Sequence, residues 1–194
     1  MEPELTSNAL LMIGMADGHS PAGAVLSGHQ RSEADREFIQ YYHRRVAWLA
    51  LRRYDKAIQD ADHTLALMDF IRRHGSEDDY IASHEQFRGP VLFHRTQAAT
   101  ALALERRRPE EAIDALRDGV DRLDAHQRTW WEEHDPSESP NPALIESLRG
   151  IEDEIRKNFS VEKTLREQLD EAVAREDYER AAWLRDQIRA RTRR

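Results

Sequence analysis

A long stretch of the sequence, from Ser32 to His74, contains neither glycine nor proline. Aromatic and aliphatic residues recur in it every three or four positions, for example Phe38, Tyr42 and Val46. This spacing places them on one face of an α-helix. We expect Ser32 to cap the first helix and Asp55 to cap a second one after a short turn. The stretch therefore predicts an antiparallel helical hairpin.

The amino-acid composition further restricts the fold classes and the kinds of functional site that the chain can have. Alanine and leucine together number 42 and valine and isoleucine 16, which favours helix over strand. The chain has no cysteine, which excludes disulfides, cysteine-based zinc sites and thiol nucleophiles. It has no apolar run long enough for a membrane span, and its first basic residue, Arg31, comes too late for a signal peptide. We therefore expect an all-α, cytoplasmic protein that does not contact a membrane.

A second hairpin follows at a fixed distance along the chain. Displaced by 55 residues, Ala57-Ile58 falls on Ala112-Ile113. An acidic loop over 76–80 separates the two hairpins. Pro109 suits the first position of the second helix in the second hairpin. The turn of the second hairpin, counted from Leu104 to Ala112, is predicted to be two residues longer than that of the first.

Glycine and proline mark the remaining boundaries. Residues 1–31 hold four of the eight glycines and are predicted to be loop-rich or only partly ordered. The predicted order is then a helical repeat domain over 32–134, a linker over 135–142, a connecting helix over 143–159 and a hairpin over 160–194. We expect Ser160 to cap the first helix of that hairpin.

The first hairpin, Tyr41–Asp69, resembles a tetratricopeptide repeat. The resemblance rests on the aromatic and small residues Tyr42, Trp48, Leu51, Tyr54, Ala57, Ala61 and Leu65. The turn glycine of that family is absent, and Arg52 stands in its region. The resemblance implies a peptide groove lined by the first helix of each repeat, with Tyr41, Arg44, Arg45, His94 and Arg95 as candidates. The arginines among them are suited to hold a peptide carboxylate.

A second resemblance covers Glu162–Ala190, which is similar to the UVR motif, the UvrB/UvrC interaction domain. It rests on the stretch Tyr178–Asp186, which reads YERAAWLRD, and on apolar positions in the preceding helix. The resemblance implies a bacterial interaction module, a short antiparallel hairpin that pairs with a like hairpin on a partner. Trp183 takes a position that is usually polar in this family. The implied partner-binding residues are Leu165, Leu169, Val173, Tyr178, Ala181, Ala182, Trp183, Leu184, Arg185, Asp186 and Ile188.

Metal and catalytic chemistry have little support in the sequence. Nine histidines are present, but only His63 has a neatly spaced carboxylate partner, Asp60. The sequence contains no phosphate-binding glycine loop, HExxH motif or nucleophile elbow. We expect a protein that is not an enzyme and that has no cofactor and no metal.

These observations predict a non-enzymatic adaptor that binds a partner protein, which is either a second copy or a different chain. The alternative is a DNA-repair accessory protein that contacts nucleic acid through the arginine-rich C-terminus. The chain has a net charge of −8, and residues 160–194 hold nine basic and eight acidic residues. Because phosphate binding rests on excess positive charge, this balance favours the protein partner.

Overall fold

The computed structural model describes residues 25–75, 77–133 and 142–192. These residues form helices and contain no strand, so the all-α prediction is confirmed. None of the described helices is long and apolar enough to cross a membrane. In chain order the helices are α1 (Gly28–Ala50), α2 (Tyr54–His74), α3 (Asp78–Glu85), α4 (Arg88–Glu105), α5 (Pro109–Glu133), α6 (Ala143–Phe159), α7 (Leu165–Ala174) and α8 (Tyr178–Thr192).

The same backbone turn joins three pairs of antiparallel helices. Its central residue has a positive φ of 55° at Arg52, 57° at Arg107 and 58° at Glu176. In each turn the following amide donates a hydrogen bond to the carbonyl five residues earlier, as from Arg53 to Trp48 at 2.8 Å. This is the Schellman arrangement, which ends a helix by satisfying its last carbonyls. The α1–α2 and α4–α5 turns both end three residues after the first helix, so the prediction of a longer second turn is wrong.

Small residues let the helices of the repeat domain pack closely. Ala57 and Ala61 on α2 and Ala112 on α5 are completely buried. At the α4–α5 contact, a Cβ added to Gly119 would lie 2.2 Å from the Thr96 hydroxyl oxygen. The largest apolar cluster is formed by α4, α5 and α6 and includes Leu92, Ile113, Leu116, Leu123, Ile145 and Leu148. A second cluster joins the start of α1 to the end of α2 through Leu26, Ala34, Leu67, Phe70 and Ile71.

Three predicted helix ends differ from the structure. The first helix begins at Gly28 and is capped by Ser27, not Ser32, because Gln30 completes a capping box with Ser27. Asp55 lies in the first turn of α2 without a capping hydrogen bond. Ser160 ends α6 in the left-handed conformation instead of beginning the next helix.

The predicted acidic loop over 76–80 is also shorter than expected, because α3 already begins at Asp78. The two acidic residues in its first turn, Asp78 and Asp79, suit the positive end of the helix dipole. The boundaries drawn at 1–31 and 135–142 fall mostly outside the described residues.

The face of α1 that packs inward is not the apolar face seen in the sequence. Phe38 is half-buried, but the side chains of Tyr42 and Val46 are 45% and 41% exposed. Glu37 and Arg45 are buried instead. The apolar stripe of α1 is therefore open to solvent over part of its length.

Candidate functional site

The C-terminal hairpin, α7 with α8, begins with a capping box. The Thr164 hydroxyl accepts a hydrogen bond from the Glu167 amide, and the Glu167 carboxylate accepts one from the Thr164 amide. These two bonds satisfy amides that the first turn of a helix leaves free. The left-handed Glu176 then reverses the chain, so that α8 runs back along α7.

The hairpin has a small apolar core of its own. Ala172, Ala181 and Leu184 are buried in it, and Leu165 and Leu169 pack against them half-buried. All five residues belong to α7 or α8. The alanines allow the two helices to approach closely, and Leu184, fully buried, fills the space between them.

Polar contacts hold this hairpin on α5. The buried Thr164 hydroxyl donates to Asp114 at 2.8 Å, and Arg166 donates to both carboxylate oxygens of Asp118 at 3.1 Å. Further along, Arg191 forms an ion pair with Glu110 at 2.6 Å. The hairpin is thus tied to α5 at the first turn of α7 and near the end of α8.

The pKa values of two carboxyl groups at this junction shift in opposite directions. Burial raises the pKa of Asp114 above its usual value, although the hydrogen bond from Thr164 acts to lower it. Burial also disfavours ionised Glu167, but the Thr164 amide and the Arg156 guanidinium outweigh that effect and lower its pKa. Arg156 also bonds Glu152 on its own helix, so it ties α6 to the start of α7.

The outer face of the hairpin exposes three large apolar side chains. Val173, Tyr178 and Trp183 are 52%, 68% and 60% exposed, and Ala182 between them is exposed too. We call Val173, Tyr178, Ala182 and Trp183 the outer face. Exposed apolar side chains of this size are candidates for contact with a partner.

The implied partner-binding residues of the hairpin thus separate into two sets. Ala181 and Leu184 are buried in the hairpin core, and Leu165, Leu169 and Ile188 are half-buried. Arg185 and Asp186 are exposed and hydrogen-bond each other at 3.1 Å. Among the implied partner-binding residues, the outer face and this charged pair are therefore the most open to a partner.

A second surface feature is a groove of about 710 Å³ between α1, α3 and α4. We call it the α1 groove. Its walls are mainly apolar and aromatic, formed by Phe38, Ile39, Tyr42 and Phe87. The side chains of Ile39 and Phe87 are 57% and 45% exposed.

Polar groups of the α1 groove come from α1 and α3. The Asp35 carboxylate accepts a hydrogen bond from the Tyr80 hydroxyl at 3.0 Å and pairs with His84 at 3.1 Å. Arg45 also lines the groove, although it is only 2% exposed. Burial raises the pKa of the Tyr80 hydroxyl, and the neighbouring Asp35 raises it further, so this group stays protonated.

The structure does not gather the five candidates for a peptide groove around one groove. Arg44 is bound to Asp60 through two hydrogen bonds, of 2.7 and 3.1 Å, and its guanidinium lies over the Tyr41 ring. Arg95 is likewise paired with Asp62 on α2. Of the five candidates, Arg45 alone lines the α1 groove. Arg44 and Arg95 join neighbouring helices, since α2 supplies the carboxylates that a peptide was predicted to supply.

Tyr41 and His94 also do not face the groove: the first contacts another side chain, and the second is partly buried. The Tyr41 ring stacks on His63, with ring centroids 3.9 Å apart. His94 is half-buried, and burial and the nearby Arg45 charge both lower its pKa. Neither side chain lines the groove between α1, α3 and α4.

The sequence-based site residues do not include Asp114, Thr164, Arg166 and Asp118, which fix the hairpin to α5. A signal for one of them was present, because Thr164-Leu165-Arg166-Glu167 has the spacing of a capping box. Nothing in the sequence marks Asp114 or Asp118 as their partners, since these lie about 50 residues away. In the described part of the chain, no group of three or more His, Asp or Glu side chains is placed to hold a metal ion.

Comparison with known families assigns this hairpin and no more. Residues 163–190 match the UvrB/uvrC motif, which agrees with the resemblance seen in the sequence. The match covers a minor part of the 194 residues, so it characterises the hairpin and not the whole chain. No curated protein and no solved structure matches the chain. No family match supports the tetratricopeptide resemblance, which stays a prediction.

Proposed function

We propose that this chain is a non-enzymatic interaction protein that docks a partner through the outer face of its UVR hairpin. The observation that carries the proposal is the exposure of Val173, Tyr178 and Trp183 on a hairpin whose own core is already filled. These side chains do not contribute to that core, so their burial is available to stabilise a complex. The partner is a like hairpin, supplied by a second copy or by another protein.

The charged residues around the outer face are better suited to selecting a partner than to increasing the affinity for it. Arg185 and Asp186 lie beside Trp183 in the sequence and are both exposed. Exposed ion pairs contribute a few tenths of a kcal/mol, about 0.2–1. Their arrangement instead disfavours partners that place like charges opposite them. Trp183 is then the main source of binding energy, because large aromatic side chains dominate interface hot spots.

The test uses the full-length chain and compares Trp183→Ala with Leu51→Ala. Leu51 is 65% exposed at the α1–α2 turn, so it controls for loss of an exposed apolar side chain away from the hairpin. Light scattering over a concentration series gives the mass of each variant. If the partner is a second copy, Trp183→Ala weakens the dimer by about 2 kcal/mol, roughly 30-fold, and Leu51→Ala leaves it unchanged.

A partner of a different sequence calls for a second measurement. The wild-type chain and both variants are used to capture proteins from the source cells, and each captured protein is then purified and titrated. The proposal holds if Trp183→Ala weakens binding and Leu51→Ala does not. It fails if the wild type is monomeric at all concentrations and Trp183→Ala leaves the binding of every captured protein unchanged.

Nucleic-acid contact through the C-terminus is the rival proposal. Arg191 is paired with Glu110, so one of the terminal arginines is already engaged by an acidic group of α5. The rival predicts DNA binding that falls steeply with salt and is lost on deleting residues 189–194. The protein-partner proposal predicts that this deletion leaves partner binding intact, because the outer face is retained.

A further inference from the structure

Arg45 is an unusual group to find at the edge of an apolar groove. It is 2% exposed, and its guanidinium donates to the Thr64 hydroxyl at 3.0 Å, while its Nε has no hydrogen-bond partner. Within the described residues it forms no ion pair. Asp60, whose charge acts on Arg45, is engaged by Arg44. Burial lowers the pKa of Arg45, and the charge of Asp60 acts to raise it.

The remaining charges of the α1 groove do not neutralise Arg45. Asp35 is the one carboxylate among the described lining residues, and it already pairs with His84 and Tyr80. The groove thus combines apolar walls with a buried positive charge. An occupant that suits it brings aliphatic side chains and at least one carboxylate.

The first 24 residues of this chain have that chemistry. They contain the run Ala9-Leu10-Leu11-Met12-Ile13, and their charged side chains are the acidic Glu2, Glu4 and Asp17. The first basic residue of the chain is Arg31, beyond this segment. We infer that residues 1–24 of the same chain occupy the α1 groove, with the run over 9–13 against its apolar walls and a carboxylate of the segment paired with Arg45.

The point at which this segment joins the folded chain supports the inference. Leu26 is buried in a cluster with Phe70 and Ile71, and Phe38 and Tyr80 pack against the same cluster. Phe38 and Tyr80 also line the α1 groove, so an apolar surface runs from the point of entry into the groove.

The segment is also long enough. The helical path from Gly28 to Arg45 is about 26 Å at 1.5 Å per residue. An extended chain of 24 residues spans up to about 80 Å. A short tether raises the effective concentration of the segment at the groove to the order of millimolar, which favours it over a free peptide. Occupation by another protein therefore requires displacement of the segment.

The absence of cysteine makes a disulfide test direct. Two full-length double variants are compared, Met12→Cys with Ser83→Cys and Met12→Cys with Gln40→Cys. Ser83 is exposed and lines the groove, whereas Gln40 is exposed on α1 and is not among the groove residues. Under mild oxidation of dilute protein, the pair with Ser83→Cys should close an intramolecular disulfide at least about tenfold faster. Equal rates for the two pairs would overturn the inference.

The pairing with Arg45 and the identity of the occupant are tested in the variant that combines Met12→Cys with Ser83→Cys. Replacing Glu2 and Glu4 by glutamine and Asp17 by asparagine should slow closure about tenfold, and Arg45→Met should do the same. The substitutions in the segment change no residue of α1–α8, so they decide the matter even if Arg45→Met unfolds the protein. If the three neutral substitutions leave the closure rate unchanged, the pairing of a carboxylate of the segment with Arg45 is refuted. A disulfide-linked dimer instead of a closed monomer would show that the occupant is the segment of a second copy and would refute docking within one chain.

Discussion

The bond between Thr164 and Asp114 determines how firmly the hairpin is held on the repeat domain. Thr164→Ala removes the cap of α7, which is worth about 1 kcal/mol. It also removes a hydrogen bond to a carboxylate, worth about 1.5–3 kcal/mol. Since the Thr164 side chain is fully buried and water has no direct access, we expect a loss of about 2–3 kcal/mol in the free energy of unfolding.

The measurement is urea denaturation followed by far-ultraviolet circular dichroism, on the wild type, Thr164→Ala and Thr164→Ser. Serine keeps the hydroxyl and loses a methyl group, so we expect it to cost about 1 kcal/mol or less. A loss below about 0.5 kcal/mol for Thr164→Ala would refute the reasoning. So would equal losses for serine and alanine, because the hydroxyl would then contribute nothing.

Three further predictions concern backbone strain, titration and packing. Arg107→Gly should stabilise the protein by about 0.5–1 kcal/mol in urea denaturation, because φ is 57° there, whereas Arg106→Gly should destabilise it because Arg106 has a φ of −78°. Asp114→Asn removes a carboxyl group whose pKa is raised by burial in the folded protein. As the pH rises from the usual pKa to the raised one, the wild type should therefore lose stability relative to the variant. Unfolding curves at several pH values should show this difference. Gly119→Ala should cost about 1–3 kcal/mol by thermal unfolding, because its Cβ would meet the Thr96 side chain at 2.2 Å, and Gly150→Ala, with open space around it, should not.

The C-terminal hairpin was largely predictable because its signals are local. The alanine pair at 181–182, the apolar positions of α7 and the break over 175–177 define two helices and a turn within a short stretch of sequence. The family match over 163–190 confirms this part. The sequence did not separate Leu184, which is buried, from Trp183, which is exposed, because both belong to the same motif.

The α1 groove was not predictable from the apolar pattern of α1. That pattern marks Phe38, Tyr42 and Val46 as one face, but a spacing of three or four residues does not say which neighbour covers the face. In the structure α2 instead packs on the side of α1 that carries Ala34 and Arg45. The sequence likewise did not reveal that Arg44 and Arg95 pair with carboxylates on another helix, α2.

The sequence by itself therefore determined the helices other than α3, their order, the repeat of 55 residues and the identity of the last hairpin, because periodicity and turn composition act over a few residues. Only the tertiary structure decided which apolar residues are covered, which charges are paired and where the hairpin rests on α5. These outcomes depend on contacts such as Thr164 with Asp114, between residues distant in the chain. Their geometry is set by how the helices pack against one another, and no local pattern encodes it.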